Sequence, residues 1–458
     1  MNASPQHCDE PARRLAVREC DVLVAGGGTA GVVAAVAAAR RGAQTVLVES
    51  KGYVGGIAVE GGTALHSFYN LWKAFPGVEK RQVVRGIAAE LVDRLADAGG
   101  STGHAEMSVG YDYDSVCTAI DTEVYKLVAF EMLAEAGATV LVNTLLAGAV
   151  ADGTRVRGAI LESRSGREMI AARCFVDCTG YGDLSAFAGA RFDEPNDYPV
   201  ANSIGLAGVS VEGYHAFLRD HDAVTQYSEG RRDGHDGRIV RLDGRMDRLP
   251  AEFARRAREI GMSLVTTTVR DDYFMFVKLN LKLPVSPTDR DAAAGAEREL
   301  RRRQAAAVEL FRRWVPGCER AFIARTSPSL CIRRGRRIVC DYDITRADVL
   351  EGRHFDDDVM VYGFHDSAPR LQIRDGGTYG VPYRALRVAG LENLLAAGML
   401  ITADHDAHMS TRNTVCCMGQ GQAAGTAAAG CAAAGLSTRD LPHPALRAAL
   451  EEDGVYFE

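Results

Sequence analysis

The chain has 458 residues, 47% hydrophobic and 25% charged, with a formal net charge of -7, a length that calls for two cores and an ordinary globular composition. The negative charge opposes nonspecific nucleic-acid binding, which needs a basic surface, and no apolar run approaches the 18 or so residues of a membrane span. The cysteines are scattered except for Cys416 and Cys417, and no C-x-x-C or Cys/His spacing marks a disulfide framework or a metal site.

The opening MNASPQHCDEPARRLAVRECD carries acids and no continuous apolar stretch, so it does not read as a secretory signal, and a cytoplasmic location is expected. Asp21-Val-Leu-Val-Ala25 is a short β-rich run of the kind that becomes a buried parallel strand. It ends in Gly26, Gly28 and Gly31, a G-x-G-x-x-G, followed by the Ala/Val-rich stretch Val32 to Arg40 and a second strand, Thr45 to Glu49. This is a complete βαβ unit. Its glycines serve a tight turn, close approach of backbone N–H groups to a pyrophosphate, and helix-on-strand packing, while the helix N-terminus faces the phosphates. Glu49 closes the second strand, where a carboxylate accepts hydrogen bonds from ribose hydroxyls and disfavours a 2'-phosphate. Gly26, Gly28, Thr29, Ala30, Gly31, Glu49 and Ser50 are therefore expected to hold a dinucleotide. The motif itself leaves NAD and FAD open.

Further along come Lys51-Gly-Tyr-Val-Gly55-Gly56, then Ala138 to Leu146 leading through a hairpin to Cys174-Phe-Val-Asp-Cys-Thr179-Gly180-Tyr-Gly-Asp183. The last such segment is Glu392 to Gly398, the polar stretch His405 to Arg412, and a small-residue helix from Asn413 to Ala434 that Ser410 or Thr411 is placed to cap. Together these strings resemble the FAD-dependent oxidoreductases related to the fumarate reductase and succinate dehydrogenase flavoproteins. Leu350-Glu-Gly-Arg and Val381-Pro-Tyr-Arg384 look like recurrent strings of the same family. The resemblance implies FAD as cofactor, with Gly55 and Gly56 beside the diphosphate, the backbone of Leu146 on the adenine, Thr179, Gly180 and Asp183 at the adenine and pyrophosphate side, and Gly398, Asn413 and Thr414 at the flavin. The positive end of the last helix would favour charge on the reduced flavin. The sequence departs from the family pattern at Thr411-Arg-Asn-Thr, Cys416-Cys417-Met and His408. His66, His405 and His408 are the histidines available for attachment to the flavin 8α-methyl; no local string requires it, and noncovalent FAD is expected.

The expected architecture is α/β: a Rossmann-like, discontinuous FAD-binding domain from residues 16–205 and 375–440, an inserted α+β substrate or cap domain at 206–374, and a C-terminal tail at 441–458. Within the insert, Phe274 to Leu283 alternates as a half-buried strand, and Leu300, Val308, Phe311 and Trp314 mark an amphipathic helix between Arg298 and Trp314. Gly230 to Gly244, charged and Gly-dotted, is expected as a mobile loop.

No second strand-linked G-x-G-x-x-G follows, so no separate NAD(P)H domain is expected. The leading function is dehydrogenation or oxidation of a small polar metabolite, a base taking a proton while flavin N5 receives hydride. His405, His408, Arg412 and His365 are the catalytic candidates, with Asp366, Tyr379, Tyr383, Arg336 and Arg337 also available from the cap or its junction. A neutral imidazole at His405 would suit the proton transfer, and Arg412 would hold an anion. A flavin monooxygenase or halogenase and a protein with structural FAD are the alternatives; the W-x-W-x-I-P halogenase string is missing. A small molecule is thus the implied partner, with neither nucleic acid nor membrane, and the sequence carries no signal for oligomeric state.

Overall fold

The computed structural model describes residues 12–62, 64–110, 116–366, 371–374 and 377–458. Most of the polar leader and the expected border at 375 lie outside the described residues.

The Asp21–Ala25 run is the buried end of a strand, Ala16–Ala25, at the middle of a parallel sheet. Thr45–Val48 pairs with it on one side and Gly166–Asp177 on the other; Thr139–Leu141 lies beyond the first, and Leu394–Ala396 pairs with the end of the second. Val22 to Ala25 are fully enclosed because helices cover the sheet. Thr29–Arg40 and Thr414–Ala434 are these helices, packed against each other through alanines and glycines. Two antiparallel strands, Leu145–Asp152 and Arg155–Ser163, extend the sheet past Gly166–Asp177. The apolar run from Ala138 to Leu146 is therefore two strands on opposite sheet edges, broken at Asn143, whose φ is +53°. There Asn143 and Thr144 donate their N–H groups to the carbonyls of Lys51 and Glu49, at 2.9 and 3.0 Å.

This is the expected Rossmann-like fold with an insertion, but the cores divide it differently from the borders at 206 and 375. One core takes residues from Cys20 to Ala190 and again from Ile338 to Leu450; the other runs from Val200 to Ile332. The chain returns to the first core at Ile338, well before 375, because Val359 to Tyr362 and Phe364 are buried against it. The second unit also borrows strands: Leu65–His66, Ala105–Val109 and Val116–Thr118 form one sheet with Val224–Arg232, His235–Gly244 and Thr266–Thr267. The segment 441–458 is not a loose tail, since its helix His443–Glu452 buries Leu446 and Leu450 in the first core.

The expected mobile loop at 230–244 is a β-hairpin. Asp233 and Gly234, at φ +45° and +78°, form its two-residue turn, for which Asp-Gly is a favoured pair. Arg232, buried beside that turn, is held by Asp271, Glu212 and the carbonyl of Ile239. The alternating strand is Tyr273–Leu281, and the amphipathic helix begins earlier than expected, at Arg290, capped by Asp289, and ends at Trp314.

Candidate functional site

A cavity of about 370 Å³ opens where the strands of the parallel sheet end. The glycine motif shapes its floor. A Cβ on Gly26 or Gly31 would collide with backbone, of Cys178 and Thr179 in the first case and of Gly26 in the second, so both positions are fixed by strand-to-helix packing. At Gly28 a Cβ would meet nothing nearer than the Cys178 carbonyl oxygen, at 3.9 Å. Protein packing therefore does not demand glycine there; space beside the helix N-terminus does. Gly56 lies over this turn with φ +48°, and a Cβ on it would come within 2.8 Å of the Gly28 Cα.

Around that floor stand Thr29, Ala30, Glu49, Ser50, Leu146, Thr179, Gly180, Asp183, Gly398 and Thr414, with Gly26, Gly28 and Gly56. The Glu49 carboxylate accepts from Gly27 N–H and Lys51 N–H, both at 2.8 Å, and from Ser50 Oγ–H. Buried Asp177, absent from the sequence candidates, organises the Thr179 turn: one oxygen accepts from Thr179 N–H and its hydroxyl, the other from Ser185 N–H and its hydroxyl. Gln420 was also missed. Its Oε1 accepts from Gly398 N–H at 2.8 Å while its Nε2 donates to the Thr411 carbonyl at 2.8 Å, fixing the strand end to the start of the last helix. These parts suit FAD: an open glycine floor at a helix N-terminus, a carboxylate at the second strand's end, and a second helix N-terminus opposite. Gly31 and Gly55 do not line the cavity; they pack beneath it. Asn413, rather than Ser410 or Thr411, holds the N-cap position of the Thr414–Ala434 helix, its side chain donating back to the Met409 and Ser410 carbonyls, and it borders a second cavity instead.

The second cavity, about 220 Å³, shares Ile57, Ile332, Met399, Arg412 and Thr414 with the first, so the two meet where the Thr414–Ala434 helix begins. Four cationic side chains from separate segments line it: Arg241, Lys278, Arg333 and Arg412. Arg412 forms an ion pair with Asp366 and lies 5.3 Å over the Tyr198 ring. Arg333 donates to the Pro199 carbonyl at 2.8 Å, and Arg241 to Gln226 Oε1 at 2.9 Å. The Lys278 ammonium group has no hydrogen bond or ion pair with another described residue. Burial, with Arg333 and Arg412 nearby, pushes its ammonium down to about 7. Burial pushes the Cys331 thiol of the same cavity up to about 11.

Three of the catalytic candidates line neither cavity. The stretch His405–Thr411 is a helix capped by Asp404 rather than an extended approach to the cofactor. His405, His408 and Arg412 recur at helical spacing on one face, and that face packs on Tyr198. His405 faces Asp197 at 2.8 Å and is 48% exposed. His408 is fully buried, with Nε2 donating to the Met399 carbonyl at 2.8 Å, and burial pushes its imidazole well below the ordinary range. His365 is buried with Nε2 donating to the Asp406 carbonyl, also at 2.8 Å. Tyr379 and Tyr383 are buried, their hydroxyls on Ser410 and the Thr438 carbonyl; Arg336 and Arg337 pair with Asp183 and Asp193. Of the catalytic candidates only Arg412 reaches both cavities.

The family model described as FAD dependent oxidoreductase matches residues 21–450. A geranylgeranyl bacteriochlorophyll reductase-like protein from Thermoplasma acidophilum is similar in structure, with a TM-score of 0.50 and 15% identity over 95% of this chain and 83% of that one. A p-nitrophenol 4-monooxygenase from Pseudomonas putida superposes with a TM-score of 0.47 at 13% identity, over 96% of this chain and 84% of that one. No curated protein matches the sequence. No helix among the described residues is long and apolar enough to cross a membrane.

Proposed function

The chain belongs to the FAD dependent oxidoreductase family, and we propose that it oxidises a small anionic metabolite held in the cationic cavity. The observation that carries this is charge. Arg241, Lys278, Arg333 and Arg412 line that cavity, and Asp366, the one carboxylate among the described lining residues, is paired with Arg412. Cations gathered in a partly desolvated space repel one another, and a carboxylate or phosphate relieves that repulsion with charge-assisted hydrogen bonds. The volume, about 220 Å³, suits a metabolite rather than a polymer.

In this proposal the larger cavity takes FAD: Glu49 on the ribose, the turn from Gly26 to Ala30 on the pyrophosphate, Leu146 at the adenine, Thr179, Gly180 and Asp183 along the chain of the cofactor, and Gly398 and Thr414 at the flavin. When bound, FAD supplies the two-electron acceptor. Arg412, lining both cavities, holds the anion at their junction, and Ile332 of the second core, with Phe276 beside it on the cavity wall, closes over the substrate to exclude water. Within the family we place the chain beside the fumarate reductase and succinate dehydrogenase flavoproteins on its Gly55-Gly56, Thr179 to Asp183 and Gly398 to Arg412 segments.

The test is anaerobic mixing of holoenzyme with 2-hydroxy and 2-amino carboxylates and phosphate-bearing alcohols, each beside its neutral amide, ester or dephosphorylated counterpart. The acid form should bleach the flavin at least about 10-fold more efficiently than its neutral partner, the worth of one charged hydrogen bond. Equal bleaching by the neutral forms, or bleaching by a nicotinamide donor alone as in a monooxygenase, overturns the proposal.

A further inference from the structure

We propose that Lys278 is the catalytic proton acceptor of this oxidation, an assignment that rests on the anionic-substrate reading above. The strand Tyr273–Leu281 alternates: Val277 and Leu279 enter the second core, while Phe276 and Lys278 line the cavity. Across the ladder, Lys278 lies opposite Ser203, which lines the same cavity. Strand period thus delivers one ammonium group to the space where the substrate sits.

The other lining side chains are poorer acceptors. Arg241, Arg333 and Arg412 do not release protons in proteins. Asp366 is bound to Arg412, and the Cys331 thiol stays protonated. Ser203 donates its hydroxyl proton to the Gly61 carbonyl at 2.5 Å. His66 is the remaining competitor. If the cavity needed only another anion anchor, arginine would serve better, since its planar fork matches carboxylate and phosphate. A lysine among three arginines is the member of the set that can lose its proton. The groups that set its state are Arg333, Arg412, Cys331 and Asp243, with Arg241, His66 and Asp366 lining the same cavity.

For a substrate carrying H–C–O–H beside its anionic group, the O–H bond breaks and its proton goes to the neutral Lys278 Nζ, giving ammonium. The C–H bond breaks, its hydride passes to FAD, and the C–O single bond becomes a carbonyl. The substrate loses two electrons and FAD gains two. An amine reacts in the same way, with N–H in place of O–H.

Two measurements test this. Holoenzyme is labelled with trace acetic anhydride from about pH 5 to 10, and each lysine is read by peptide mass spectrometry. Lys278 should label with a midpoint near 7, and exposed lysines near the ordinary value of about 10.4. Anaerobic stopped-flow then compares wild type with Lys278→Arg, Lys278→Met and His66→Gln, using the best carboxylate substrate. Lys278→Arg should bind it within about 3-fold of wild type but reduce flavin about 100-fold more slowly and lose the limb that rises through pH 7. Lys278→Met should weaken binding as well, and His66→Gln should keep the limb. A Lys278 midpoint near 10, wild-type reduction by Lys278→Arg, or loss of the limb in His66→Gln overturns the assignment and leaves the substrate class standing. Absence of bleaching by every anionic substrate in wild type overturns the substrate class, and the lysine's role with it.

Discussion

Replacing Gly425 by alanine sets two physical effects against each other. In an isolated helix the change stabilises by about 1 kcal/mol, because alanine is the better helix former. Here a Cβ at Gly425 would run into the carbonyl oxygen of Ala34 and stand 2.8 Å from that residue's Cα and carbonyl carbon. Carbon atoms rest at about 3.5–4.0 Å, so the Thr414–Ala434 helix must move off Thr29–Arg40 by about 1 Å. The atoms it meets are backbone and cannot rotate away. Overpacking of a close-packed contact costs about 1–3 kcal/mol; with no side-chain escape we take the upper end, for a net loss of about 2 kcal/mol. Gly430 of the same helix is the control, since its Cβ would meet only Leu441 side-chain carbons, at 3.3 and 4.0 Å. Thermal and urea unfolding of the cofactor-stripped proteins should show Gly425→Ala destabilised and Gly430→Ala unchanged or slightly stabilised. Gly425→Ala at or above wild-type stability would refute the packing argument.

Other substitutions separate cofactor binding, pH response and catalysis. Gly28→Val should fold with near-wild-type stability when cofactor is absent, because the protein leaves that Cβ position open, yet it should purify without FAD; retained FAD, read from the absorbance of the released cofactor, would remove Gly28 from the site. His354 is hydrogen-bonded to Asp358 and Glu458, which raise its imidazole to about 9. The protonated form is favoured by folding, so this contribution is complete below about pH 6.5 and fades as pH rises to 9; it is about 1 kcal/mol after allowance for solvent screening. Denaturation midpoints of His354→Gln should show a weaker pH dependence over that interval, and an unaltered slope would show that the pair contributes nothing. His405→Asn should reduce flavin within about 3-fold of wild type, since His405 faces Asp197 and lines neither cavity; a 100-fold slower reaction in stopped-flow would restore it as the base.

What the sequence made legible was local. The strand at Asp21–Ala25, the three glycines and Glu49 are consecutive elements of one unit whose purpose is set by backbone geometry, and the structure assembles them around one open floor. Phe274 to Leu281 showed its period of two, and Leu300 to Trp314 its helical period. The hairpin at 224–244 was hidden by charge: its Asp233-Gly234 turn signal was present, but Arg231, Arg232, Asp233, His235, Asp236 and Arg238 around it suggested solvent. Buried Arg232, satisfied by Asp271, Glu212 and a carbonyl, is the kind of pairing that sequence cannot display. The cores cross the expected borders because of pairing distant in sequence: the strand at 105–109 pairs with Val224–Arg232, more than a hundred residues on, and brings the strands at 116–118 and 65–66 into the same sheet.

His365, His405 and His408 line neither cavity for a related reason. Beside the cofactor signature His405 and His408 stand at helical spacing, and helical spacing is also what docks a face onto a neighbour. Tyr198 is that neighbour: it stacks on His405 at 4.9 Å, meets the buried His408, and leaves Arg412 to reach the cavities. The cavity's charge instead comes from Arg241 on a hairpin, Lys278 on the adjoining sheet, Arg333 after the second core and Arg412 at the C-terminal end of a short helix. Arg412 apart, each of these, met alone in the sequence, is an ordinary solvated side chain. Their chemistry exists only by convergence, because a lysine surrounded by arginines in a desolvated space is driven toward its neutral form, whereas the same lysine on an open surface stays charged. The proton acceptor of such a site is thus a property of topology, and strand register places it: moving Lys278 by one residue along Tyr273–Leu281 would turn the ammonium into the second core and Val277 toward the substrate.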